Sequence, residues 1–417
     1  MKIAVLCPHF PPDTAPTGEV IGRLVDELAG RGHELHVVTA LPWYLHHRVE
    51  QEWRGRPVRR ERTAWGSITR VNPFPTDKTS IARRGLAFAG FSALAGLAGL
   101  LGGRVDAVLA MSPPLTLGLT GWAMRLVRRG PLVFNVQDVF PDAAVELGAV
   151  TNAQLIAAAR RVEKLTYRAA AAVTVLSDEM RDNVSAKMPM SRRSRVRVIP
   201  NFVDTAAIVP LDRMTAYRRE LGIGDETVVM YAGNVGLSQS LHLLVEAARA
   251  RRDNPSVVFV VNGGGSNLDA IKTQAAGLPN VRFAPYQPKD RLSEVLSTAD
   301  IQLIPLRASL AQSSVPSKMY SVLAAGRPVL ASIDEGTEVA RVIVHAGAGL
   351  AVRPDDQAAF DGALDQLLND PAGRIDMGRR GREWVETWAS PAAVAAMYDD
   401  LLSEVATRNL SGTSPKR

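Results

Sequence analysis

Val228-Val229-Met230-Tyr231, followed by Ala232-Gly233-Asn234-Val235-Gly236 and then by Gln239-Ser240 at a helix start, decides how this chain folds. A short apolar run bounded by glycines suits a strand buried on both faces, and the glycines let the chain turn tightly behind it. The same kind of unit stands near residue 1. Ile3-Ala4-Val5-Leu6 leads into the loop Phe10-Pro11-Pro12-Asp13, and Thr17-Gly18 opens a helix with Val20, Leu24, Val25 and Leu28 at helical spacing.

Outward from these two units the pattern repeats. Apolar runs at 35–39, 105–111, 132–136 and 172–176 in the first half, and at 257–261, 281–283, 301–304 and 329–331 in the second, alternate with helical stretches. Such alternation predicts an α/β protein with parallel sheets covered on both faces. The turn at Val196-Arg197-Val198-Ile199-Pro200-Asn201 marks a seam, so two doubly wound domains are expected, 1–203 and 204–390.

A chain of 417 residues can build two large cores without a metal or disulfide staple. Cys7 is the single cysteine, which excludes an internal disulfide and a cysteine zinc site. It lies in an apolar run, as a core residue would. The net charge of +7 is uneven: residues 1–200 carry 27 Lys and Arg against 17 Asp and Glu, and the rest carry 22 against 25. A basic first half points to an anionic membrane surface or to plain arginine enrichment on a solvated face; no zinc-finger spacing or RNA-binding aromatic run supports nucleic acid. Gly85 to Gly103 runs 19 residues without a charge, behind Arg83-Arg84 and before Arg104. Its many glycines and alanines suit a covering helix or a membrane-surface helix, with Phe88 and Phe91 as candidate apolar contacts.

Ligands of open α/β sheets bind beyond the carboxyl ends of the strands, so those loops hold the candidates. Gly18 at a helix start could approach a phosphate. Asp138, in Gln137-Asp138-Val139-Phe140-Pro141-Asp142, is a candidate base or orienting group. In the second half the candidates are Gly233, Asn234, Gly236 and Gln239, then Gly264 within Asn262-Gly263-Gly264-Gly265-Ser266. Ser313, Ser314, Ser317 and Lys318 read as a diphosphate cradle at a helix start. Glu338 could accept from a ribose diol, and Tyr286 and Gln287 lie where a base would bind. No Asp-x-Asp or paired histidine with ligand spacing sits at a strand end, so no metal is expected and Lys318 would carry the positive charge.

As a set these residues resemble the family 4 retaining glycosyltransferases of the GT-B fold, and within them the exopolysaccharide branch of WbuB-like amino-sugar transferases and colanic-acid fucosyltransferases. The resemblance rests on Phe10-Pro11-Pro12 through Thr17-Gly18, Gly32-His33-Glu34-Leu35, Val136-Gln137-Asp138 with Glu146-Leu147-Gly148, Ile199-Pro200-Asn201-Phe202-Val203-Asp204, Gly233-Asn234-Val235-Gly236 with Gln239, and Val315-Pro316-Ser317-Lys318. It implies two Rossmann-like domains facing a central cleft, with the last helix, 391–406, belonging to the first. It also implies transfer of a sugar, a deoxy- or amino-sugar in this branch, from a nucleotide-diphosphate donor. The donor would sit in the second domain, and a glycan or lipid-linked acceptor in the first. The setting would be cell-surface polysaccharide synthesis on the inner face of the cytoplasmic membrane. The family's usual donor-gripping Arg and Lys align with Asn234 and Gln239, and its Glu pair with Ser313 and Ser321, so the cationic role passes to Lys318. A nucleotide-sugar epimerase, a non-catalytic sugar-nucleotide-binding subunit and a soluble small-molecule acceptor stay open at this point.

Overall fold

The computed structural model describes residues 1–74, 81–146, 150–308 and 318–410. It divides into two units, Met1–Asn201 with the residues from Val394 onward, and Phe202–Ala393.

The first unit holds β1 (Lys2–Leu6), β2 (Glu34–Ala40), β3 (Val58–Thr63), β4 (Gly66–Val71), β5 (Ala107–Ser112), β6 (Leu132–Val136), β7 (Ala172–Val175) and β8 (Val196–Val198). Their order is β3-β4-β2-β1-β5-β6-β7-β8, and only β3 runs antiparallel to its neighbour. Every residue of β5 and β6 is buried, as expected of strands covered on both faces. Cys7 lies in this core with its thiol pushed up to about 12 by burial. The polar hairpin of β3 and β4 has no apolar run to announce it; its buried Arg70 donates to Glu61 at 2.7 Å and to the carbonyl of Pro11 at 2.6 Å.

The helix Ile81–Leu100 packs on the helix Thr116–Arg128 through small residues. Ser92 and Thr116 hydroxyls meet at 2.7 Å, and a Cβ at Gly99 would stand 2.6 Å from the Met124 sulfur. The glycines and alanines of this stretch thus serve close helix packing. Among the described residues no helix is long and apolar enough to cross a membrane. Phe91 is buried and Phe88 half-buried, so the aromatic pair expected at a membrane does not form the outer surface; Leu86, Leu97 and Leu101 do. The side chains of Arg83 and Arg84 lie outside the described residues.

The last helix, Pro391–Leu410, contributes Asp399 to His33 at 2.9 Å and the Tyr398 hydroxyl to Asn135 at 2.7 Å, both within the first unit.

The second unit holds β9 (Thr227–Ala232), β10 (Val257–Asn262), β11 (Val281–Ala284), β12 (Ile301–Pro305), β13 (Val329–Ser332) and β14 (Gly349–Val352). Their order β11-β10-β9-β12-β13-β14 is wholly parallel, and the direction of winding reverses between β9 and β12. Val229, Phe259, Leu303 and Leu330 meet in a core that Phe360 and Leu364 close from one face.

Candidate functional site

The winding of the second sheet reverses between β9 and β12, and the carboxyl ends of strands at such a reversal are where these sheets receive ligands. Gly233 leaves β9 with φ +146°, and a Cβ there would lie 2.6 Å from the Lys318 Nζ. The lysine therefore lies across a backbone that only glycine leaves bare. Its ammonium stands over the Tyr231 ring, 3.6 Å from the centroid, an attraction between the cation and the ring quadrupole. Lys318 is half-buried by solvent contact yet crowded by protein atoms, and desolvation lowers its pKa to about 7. Tyr231 donates its hydroxyl to the Asn234 carbonyl; burial, aided by nearby Tyr286, raises the pKa of that hydroxyl.

The loop after β10 packs directly on the loop after β9. Gly263 comes so close that a Cβ would fall 2.0 Å from the Gly233 carbonyl oxygen, and Val235 donates its N–H to the Gly264 carbonyl at 2.9 Å. Tyr286, 58% exposed after β11, donates to that same carbonyl at 3.2 Å, which leaves a ring face open beside Gly264. Gln239 accepts from the Gly236 N–H at 2.9 Å, so this side chain braces its own loop. Asn234 lies on the other side, with its Oδ1 2.8 Å from where a Gly265 Cβ would be. Gln287 accepts from Arg291 at 3.3 Å.

Glu338 opens the helix after β13, where Thr337 caps it, and it takes 2.7 Å pairing from Arg341. The Tyr320 hydroxyl is buried without a hydrogen-bond partner among the described residues, and burial together with Glu338 raises its pKa. Ser313, Ser314 and Ser317 lie outside the described residues.

Two expected residues belong to the first unit. Gly18 sits in the helix Pro16–Gly30 with His9 above it: a Cβ there would stand 3.0 Å from the His9 Cβ. Asp138 follows β6, open to solvent but crowded, and desolvation raises its carboxyl pKa. A polar chain supports this loop. Asn201 donates to Gln137 at 2.8 Å, Gln137 to Asn135 at 2.7 Å, and Asn135 to Tyr398 at 2.7 Å.

The structure thus gathers Gly233, Asn234, Gly236, Gln239, Gly264, Tyr286 and Lys318 on adjoining loops at the carboxyl end of the second sheet. It adds Tyr231, which reads in sequence as one more apolar strand residue and carries no signal of its own.

Residues 17–201 match the family described as Glycosyl transferase 4-like domain, and residues 213–384 match Glycosyl transferases group 1. The chain is similar to the colanic acid biosynthesis glycosyl transferase WcaI of Escherichia coli (strain K12), 26% identical over 382 residues, 88% of this chain and 92% of the relative. Among solved structures, sucrose-phosphate synthase of Thermosynechococcus elongatus aligns with a TM-score of 0.67 at 18% identity, over 99% of this chain and 100% of its own. Anabaena HepE in complex with UDP-glucose aligns at 0.66 and 15% identity, over 97% and 100%.

Proposed function

From the premise that the chain belongs to the GT-B glycosyltransferases, with a 4-like domain ahead of a group 1 domain, we propose that it moves a sugar from a nucleoside-diphosphate donor to a lipid-linked acceptor, with retained anomeric configuration. The observation that carries the donor half is the meeting of the Lys318 ammonium with the bare Gly233 backbone at the β9/β12 reversal. HepE was solved with UDP-glucose, which supports a nucleotide-sugar there. In this reading the diphosphate rests against Gly233 and Lys318, the base beside Tyr286 and Gln287, and the ribose near Glu338. When the bond from the sugar C1 to the diphosphate oxygen breaks, its electron pair leaves with the diphosphate. The acceptor oxygen bonds to C1 as its proton passes to the departing diphosphate oxygen. Lys318 then answers the growing negative charge, the kind of fixed electrostatic aid that dominates such chemistry. A lysine provides this without a metal.

The acceptor half rests on the first unit's outer helices. Leu86 and Leu97, then Trp122, Leu126 and Val127, then Leu155 and Leu165 are all exposed, on three helices that pack side by side. Beside them a basin of about 480 Å³ is lined by Val145, Ala153, Ile156, Ala157, Arg160, Arg161 and Lys164. Apolar side chains rimmed by cations suit an anionic bilayer surface, as on the inner face of a cytoplasmic membrane, and hence an acceptor with a lipid anchor.

The test is a thermal-shift panel of UDP, GDP, ADP, dTDP and NAD, each without and with magnesium. A ligand at about 100 times its Kd adds ~2.7 kcal/mol of stability. One nucleoside diphosphate standing out without magnesium is the expected result. A response to NAD alone, or to none of the five, overturns the donor reading.

A further inference from the structure

A second constructed arrangement lies in the first unit, where the winding reverses between β1 and β5. His9 leaves β1 and sets its Nδ1 2.7 Å from the Asp13 carboxylate, both side chains almost buried at 11% and 3% exposure. The other Asp13 oxygen accepts the Tyr44 N–H at 3.0 Å, which ties the loop after β1 to the loop after β2. Arg70 clamps the same loop from below through the Pro11 carbonyl, and Gly18 leaves the room that the His9 side chain needs. The imidazole stacks on Trp43 at 5.6 Å and 26°, and meets Tyr44 edge-on at 5.3 Å. With Nδ1 committed to Asp13, only Nε2 remains, and no hydrogen bond to it occurs among the described residues.

A histidine held by a carboxylate, with its second nitrogen free beside half-buried aromatic rings at a strand's carboxyl end, is built to receive something. Nδ1–H donating to Asp13 makes Nε2 an acceptor, which suits a hydroxyl. An indole face suits the apolar C–H face of a pyranose, and rings of this type present a large rigid surface at small entropic cost. We propose that His9, Asp13, Trp43 and Tyr44 form a pyranose-binding subsite, in which a sugar hydroxyl donates to His9 Nε2 and the ring lies on Trp43 and Tyr44. Asp13 is a positioning residue that acts through His9. The proposal rests on the reading of the first unit as the acceptor side, and it names the class of group recognised there.

The experiment is saturation-transfer NMR on the full chain with methyl glycosides of glucose, galactose, mannose, fucose and N-acetylglucosamine as probes. Saturation of the ring protons of at least one glycoside by the wild-type protein is expected. Trp43→Ala and His9→Ala should each weaken that binding about tenfold or more, the equivalent of ~1.4 kcal/mol. His9→Gln, which keeps an acceptor atom, should recover part of it. The nucleoside-diphosphate thermal shift should stay as in the wild type in every variant, which also reports that each one folds. No transfer to any glycoside, or equal transfer in wild type and in Trp43→Ala and His9→Ala, overturns the subsite. A wild-type protein that binds a glycoside but no nucleoside diphosphate would overturn only the donor reading.

Discussion

The Lys318 ammonium stands 3.6 Å from the centre of the Tyr231 ring and 2.6 Å from where a Cβ on Gly233 would be. The pair joins the last residue but one of β9 to the first residue of the helix that follows β12, at the one point where the sheet reverses its winding. A ring holds the ammonium without supplying a counter-charge, which leaves the charged form of the lysine for an anion.

Lys318→Ala should lower kcat by about 10²–10³, or ~3–4 kcal/mol, by analogy with the loss of one preorganised donor at a developing anion. Steady-state kinetics with the donor identified by thermal shift would measure it. An unchanged kcat would remove the lysine from the chemistry.

The pH dependence has two opposite signs. Free Lys318 titrates at about 7, whereas an unfolded lysine titrates at about 10.4, so the unfolded chain binds more protons between those values. This residue therefore makes stability increase as pH rises through that window, where its burial penalty is relieved. Diphosphate binding needs the charged form, so affinity should fall above pH 7 by up to about tenfold per unit. Titration calorimetry from neutral to alkaline pH should show the fall in wild type and a flat profile in Lys318→Arg, since guanidinium stays charged. A wild-type profile as flat as the arginine variant's would contradict this.

Gly233→Ala places a methyl group where the Lys318 side chain lies, on a backbone at φ +146°. A strained conformation of this kind costs on the order of 1–3 kcal/mol. The variant should lose nucleoside-diphosphate affinity together with melting temperature. Gly277→Ala, also at positive φ but with open space around it, should lower the melting temperature alone.

Vesicle flotation tests the outer helices. The protein should float with phosphatidylglycerol vesicles at low salt and release as ionic strength shortens the Debye length. Leu97→Glu with Leu126→Glu should abolish flotation and leave the nucleotide thermal shift intact, because both side chains already face solvent. If the double variant floats as the wild type does, another surface carries the membrane contact; a wild type that stays in solution at low salt points instead to a soluble acceptor.

Tyr398→Phe removes the hydroxyl that receives Asn135 and touches Thr174, and leaves a buried amide short of a partner. The expected cost is ~1–3 kcal/mol. Calorimetry should show a fall of roughly 2–4 °C for each kcal/mol in a unit of this size. An unchanged melting temperature would mean that the chain from Tyr398 to Asn201 does not stabilise the loop bearing Asp138.

The strands at 3–6 and 228–231 were legible because each is a short apolar run ended by residues that cannot continue it. The β3–β4 hairpin was not. Val58-Arg59-Arg60-Glu61-Arg62-Thr63 shows one face to water, and its partner strand buries Arg70, a residue type that composition alone assigns to the surface. Phe91 shows the same limit in reverse. The uncharged run 85–100 has several apolar faces, and only packing against the sheet and against Thr116–Arg128 decided that Phe91 turns inward while Leu97 stays out.

By itself the sequence determined what depends on near neighbours along the chain: the alternation of strands and helices, the glycine loops behind β9 and β10, and the lysine at a helix start. Tertiary structure alone decided which of those loops meet. Lys318 reaches Tyr231, and His33 reaches Asp399, because strand order and the path of the last helix bring distant segments together. Periodicity is a local property of covalent geometry, whereas juxtaposition follows from how whole elements bury their apolar faces against one another.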